Sequence, residues 1–286
     1  MKSIRSRQLA QSLVLLALST LGSSAFALST WNFSGGCGAV NGSTNNATLT
    51  CAESSANASA VTVTAWSVAT TAGANYAAAS VGYYNPNGFG VTYSAGTGYS
   101  AESTSNPQHT LDNSGRTELL MLNFGSSSVD LNGVKIGYKA NSSGGSTGAD
   151  ADISVFRFTG AALPSLSLST IASLAANSAG GWELVGNYAD LVTGTNKTVN
   201  TTDKTSSWWL ISAYNSGYGA ATGTDQGAAN SGGVTGLQNG NDYFKVLSVA
   251  GNATPKTNVP EPGSMALLGL GLVGLVASRR RGQKSV

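Results

Sequence analysis

The sequence predicts an all-β fold: a single antiparallel β-sandwich, jelly-roll or Ig-like, with one short helix, flanked by an N-terminal signal peptide and a C-terminal membrane segment. Three observations predict it. Short β-branched and aromatic runs recur between Gly, Ser, Thr and Asn clusters along the chain. Helical periodicity is confined to one stretch, and each end carries an apolar run beside basic residues.

Taken in order, the runs that read as strands cover residues 60–70, 76–84, 88–93, 118–124, 128–139, 152–159, 182–186, 207–214 and 242–249. Roughly nine to twelve strands follow from that spacing. In Val61-Thr62-Val63-Thr64-Ala65 and again from Ile153 to Phe158, apolar and polar residues partly alternate, as strands with one buried face require. Residues 167–176 read as the helix, with Leu168, Ile171 and Leu174 or Ala175 on one face. Residues 216–240, rich in Gly, Ala, Thr and Asn, read as a long mobile loop before the last strand.

The ends are addresses. Lys2, Arg5 and Arg7 precede an apolar run from Leu13 to Leu21, and Ala25-Phe26-Ala27 follows. That layout predicts a signal peptide over residues 1–27, with Ala25 and Ala27 fitting signal peptidase and cleavage after Ala27. At the other end, residues 259–286 place Pro260-Glu261-Pro262 ahead of the uncharged stretch Met265 to Ala277, closed by Arg279, Arg280 and Arg281. Thirteen to eighteen residues at about 1.5 Å each barely cross a ~30 Å hydrocarbon layer, so a transient inner-membrane stop is expected, with the arginines on the cytoplasmic side.

Between these segments, residues 28–258 read as one secreted domain. Only 10% of the chain is charged, against roughly 25% in ordinary soluble domains, and it holds 37 Gly. Over residues 28–258 eight Lys and Arg face twelve Asp and Glu, a balance of about −4. Binding of nucleic acid is excluded on that ground, because clustered basic residues supply most of its affinity.

Cys37 and Cys51 are the only cysteines, and an exported chain pairs them. The loop they close, ~15 residues, is worth roughly 3 kcal/mol in the chain-entropy model. Asp112 and Asn113, with Asp150 and Asp152, form two short clusters of hard oxygen ligands. They are candidates for a calcium ion if they converge, and for turn caps if they do not. No other cofactor is called for. Trp208 and Trp209 sit side by side in a strand and point to opposite faces, so at most one lies in a two-layer core and the other is a candidate for stacking on sugar.

A hydrolase would have to use the single histidine, His109, without a Gly-x-Ser-x-Gly elbow to supply the nucleophile. A glycosidase would have to draw two facing carboxylates from Glu118, Asp150, Asp152 and Glu183.

The order Pro-Glu-Pro, short apolar span and Arg cluster resembles the PEP-CTERM sorting signal. The resemblance implies recognition by an exosortase, with the tail removed near Pro260 to Pro262. Further stretches resemble a family of exosortase-dependent surface proteins: Trp31-Asn32-Phe33, His109 to Asn113, Val134 to Tyr138, Asp150 to Val155, Gly181 to Tyr188, Trp209 to Asn215 and Asn241 to Lys245. That resemblance implies a secreted or surface β-rich protein with no established enzymatic activity. The expected function is that of a non-enzymatic exported protein of the surface or extracellular matrix, associated with exopolysaccharide or biofilm. The alternatives are a lectin-like carbohydrate-binding module and, third, a secreted hydrolase. Expected partners are signal peptidase, the exosortase and exopolysaccharide.

Overall fold

The computed structural model describes residues 28–54, 58–93, 107, 109–161, 164–175, 181–221, 225–229 and 235–255. The signal peptide, with Ala25 and Ala27, lies outside the described residues, as do the Pro260-Glu261-Pro262 motif, the apolar span and Arg279 to Arg281. Among the described residues no helix is long and apolar enough to cross a membrane.

The fold is an all-β antiparallel sheet, strongly curled into a half-barrel, with one short helix. Its strands are β1 (Leu28–Asn32), β2 (Leu49–Cys51), β3 (Val61–Ala69), β4 (Ala77–Tyr84), β5 (Gly88–Thr92), β6 (Leu111–Asp112), β7 (Arg116–Asn123) and β8 (Ser127–Lys139). They continue with β9 (Ile153–Phe158), β10 (Trp182–Tyr188), β11 (Asn196–Thr198), β12 (Thr205–Ser206), β13 (Trp208–Ala213) and β14 (Tyr243–Pro255). The hydrogen-bonded path runs β10-β9-β13-β7-β3-β4-β5-β14-β8-β11, with β1 and β6 on β14, β12 on β8 and β2 on β3.

Where two separate layers are expected from the sequence, the sheet is one continuous path, and β4 is the reason. Its first residues, Ala77 to Ala79, pair with β3, while Ser80 to Tyr84 pair with β5. One strand thus passes from one half of the sheet to the other. At the next corner Gly88 (φ +95°) is obligatory, since a Cβ there would stand 2.1 Å from the Val246 carbonyl oxygen.

The curl encloses the main core. Leu120 and Leu122 of β7, Val63 of β3 and Trp209 of β13 meet Leu131 and Ile136 of β8 and Val246 of β14. Trp209 Nε1 donates to the carbonyls of Val129 and Ser206 at 3.2 and 3.1 Å, so the indole is buried without an orphaned N–H. A second apolar cluster covers the outer face of the β7–β13–β9 half. There Leu119, Met121, Phe156 and Leu210 pack beneath Leu166 and Leu174.

This second cluster explains both tryptophans. Trp209 is fully buried, which removes it from sugar stacking, and Trp208 is half-buried against the outer cluster. The two-layer premise fails because helix α1 (Ile171–Ala175) and the 3₁₀ turn Ser216–Tyr218 cover what would have been an open face.

The helix itself starts four residues later than its periodicity suggests. Thr170 Oγ1 accepts the Ser173 N–H at 3.1 Å and Ser173 Oγ accepts the Thr170 N–H at 2.7 Å, a reciprocal cap that sets the first turn. Leu168 stays outside at 87% exposure. Cys37 and Cys51 are joined, with Cα atoms 4.8 Å apart, tying the turn Gly36–Gly38 to β2.

Candidate functional site

Between β14 and the approach to β9, three carboxyls converge. Asp150, Asp152 and Asp242 are each fully buried, with oxygens within 4.8 Å of one another. Asp150 and Asp242 face each other across an isolated bridge, one just ahead of β9 and the other just ahead of β14.

Every carboxylate oxygen of the triad accepts a hydrogen bond. Asp150 takes them from Ala151 N at 2.8 Å and Gln238 Nε2 at 2.7 Å. Asp152 takes them from Asp190 N at 2.8 Å and Gln238 N at 3.0 Å. Asp242 takes them from Asp152 N at 2.6 Å and from Asn113 Nδ2. Burial, with the neighbouring carboxyls adding to it, pushes Asp152 up to about 7 and Asp242 well above the usual carboxylate range, and burial raises Asp150 too.

The arrangement differs from the predicted ligand set in one member. Asp112, in β6, caps its own turn by accepting the Ser114 N–H at 3.0 Å and stands outside the group. Asp242 takes its place. Asn113 does join, exchanging hydrogen bonds with Asp242 and donating to the Tyr214 carbonyl at 2.8 Å. A calcium ion requires six to eight oxygens. Each of the six carboxylate oxygens keeps a second lone pair beside its N–H bond, and burial raises all three carboxyls, so the group is a hydrogen-bonded, partly protonated pin.

The pin holds one side of a cavity of about 460 Å³. Asn113 is on its wall, and Asn239 and Gly240 line it from the turn between Gln238 and Asp242. The remaining wall comes from the β3–β4 turn, the start of α1 and the Asn215–Gly217 corner. None of the lining residues is charged. The loop expected to be mobile is anchored wherever it is described: Tyr218, Asp225 and Leu237 are buried, and Asp225 accepts the Tyr188 hydroxyl at 3.0 Å.

His109 packs at 4.1 Å on the Tyr84 ring, and burial, followed by the charge of Lys245, lowers it to about 4. Lys245 is buried between the Tyr84 and Tyr138 rings, 4.8 and 4.0 Å from their centroids, and burial brings it down to about 7. Glu183 bridges Arg157 at 2.7 Å and Lys204 at 3.0 Å on β10. Glu118 lies buried in β7 and accepts the Asp112 N–H at 3.3 Å.

Fold and site together define an all-β body with a buried acidic pin beneath an uncharged cavity. The comparisons add the particular: residues 258–281 match the PEP-CTERM protein-sorting motif. The motif implies processing by an exosortase, and PEP-CTERM proteins are exported and sorted to the cell surface. No curated protein and no solved structure matches the chain.

Proposed function

We propose that the chain is a non-enzymatic exported protein of the cell surface or extracellular matrix, associated with exopolysaccharide and holding its place there after exosortase processing. The sorting motif over residues 258–281 carries this reading. Signal peptidase cuts after Ala27, Arg279 to Arg281 stop the tail at the inner membrane, and the exosortase removes it near Pro260 to Pro262. The two halves of the curled sheet act as the layers of a sandwich, since side chains of both meet in one core. A sparsely charged body suits neutral polymer surroundings, where few fixed charges repel neighbours. The engagement of His109 and Glu183 in packing and ion pairing supports a non-catalytic role.

Fractionation of an exosortase-bearing host tests the proposal. Surface or medium material lacking the tail is expected there, and full-length, membrane-held material in the same host without its exosortase. Full-length protein in the cytoplasm of the first host would overturn it.

A further inference from the structure

The residues lining the cavity beside the acidic pin lie outside the sorting motif. At about 460 Å³ it falls within the ~300–1,000 Å³ of small-molecule sites. Its chemistry is narrow. Amides and hydroxyls supply the polar atoms, alanines, glycines and Ile171 supply the apolar ones, and no lining side chain carries charge.

The amides are held in place before any ligand arrives. Asn215 accepts the Gly217 N–H at 2.8 Å and donates to Thr117 Oγ1 at 2.7 Å. Asn239 accepts the Ser216 N–H at 2.7 Å and donates to Ser216 Oγ at 2.5 Å. A carboxamide has two N–H donors and two lone pairs, so each keeps one donor and one lone pair in reserve. Such paired, fixed donors and acceptors answer a hydroxyl group, which both gives and takes a hydrogen bond. Rigid placement also limits the ordering cost on binding.

Gly217 lets this corner pack closely against the helix, since a Cβ there would stand 2.7 Å from Ile171 Cγ2. An anion would find no cation in the lining. A hydrocarbon would strip water from the amides without replacing their bonds.

We propose that this cavity binds a neutral saccharide unit. The inference deepens the surface reading and rests on it only for where the sugar is met, so binding and localisation are measured separately. Saturation-transfer NMR on the exported, purified protein would use glucose, galactose, mannose and N-acetylglucosamine as probes, with glucuronate as the charged control. At least one neutral sugar is expected to give a signal, and glucuronate to bind at least tenfold more weakly.

Ala72, exposed on the β3–β4 turn at the cavity wall, gives the plugging variant. Ala72→Trp is expected to weaken that sugar at least tenfold with an unchanged melting profile. If that variant misfolds, Thr71→Val, which exchanges an exposed hydroxyl on the same wall for a methyl, is expected to weaken it severalfold. Silence from all four neutral sugars, binding undiminished in a folded variant, or glucuronate binding equally well would each overturn the proposal, even with the protein correctly placed at the surface.

Discussion

Asp152 and Lys245 set opposite slopes on the stability of this protein with pH. The folded state raises the Asp152 carboxyl from 3.8 to about 7, so between those values it binds a proton more tightly than the unfolded chain does. Stability therefore falls as pH rises through that window and is flat for this group above about 7. Asp150 and Asp242 act in the same direction. His109, lowered to about 4, opposes them below its ordinary 6.5, but one imidazole stands against three carboxyls. Lys245, lowered from 10.5 to about 7, makes stability climb with pH across that interval. Stability is expected to pass through a minimum near neutral pH, measured by urea denaturation at pH 5, 7 and 9. Asp152→Asn should flatten the acid limb and Lys245→Met the alkaline limb; stability rising steadily from pH 5 to 9 in the wild type would contradict the assignment. Because burial already raises all three carboxyls toward the protonated form, the proton is the expected counter-charge. Millimolar calcium or a chelator should leave the melting temperature unchanged, and a calcium-dependent rise lost in Asp152→Ala would restore the ion.

Among the elements, β13 and the disulfide offer the sharpest contrasts. Trp209→Ala should cost about 3–5 kcal/mol, as deletion of a buried ring does, and Trp208→Ala distinctly less, because its ring is half-buried. Reducing Cys37–Cys51 should cost roughly 3 kcal/mol and lower the melting temperature without abolishing the fold, since the core extends well beyond the closed loop. Retention of the full unfolding cooperativity after reduction is the check. The long strands were legible because their own side chains alternate or run apolar: β3, β8, β9 and β13 lie within a few residues of the runs that predict them. Strands β1, β2, β6, β11 and β12, of two to five residues, are created by partners distant in the chain and carry too little pattern to declare themselves. Asp242 escaped the site reading for the same reason. Only the bridge to Asp150 brings it beside residues about ninety positions earlier, and Asn241-Asp242 ahead of the last strand looks locally like an ordinary turn. The helix was legible as a stretch but not in its start, which a pair of side-chain hydrogen bonds decides.

For the whole molecule, intact mass is the decisive observable. Surface material is expected to begin at Leu28 and to lack everything beyond the Pro260 to Pro262 region, whereas retention of Arg279 to Arg281 on material released by an exosortase-bearing host would refute the processing scheme. The pairing of β1 with β14 has a mechanical consequence for such a protein. Leu28 lies opposite Asn252, so the two ends of the body leave from adjacent points on one antiparallel ladder. Tension between those ends would peel β1 from β14 one pair at a time, drawing Trp31 and Phe33 out of the core, and free about ten residues, some 33 Å of chain. At Cys37 the covalent link to Cys51 would hand the load to β2 and arrest the extension. Tension entering through the C-terminal end alone meets a different geometry. Strand β14 pairs with β8 along one edge and with β6, β5 and β1 in turn along the other, so a pull along its axis loads those pairings in shear. The body thus unzips pair by pair when stretched from both ends and is loaded in shear when it hangs from the end that bears the sorting tail.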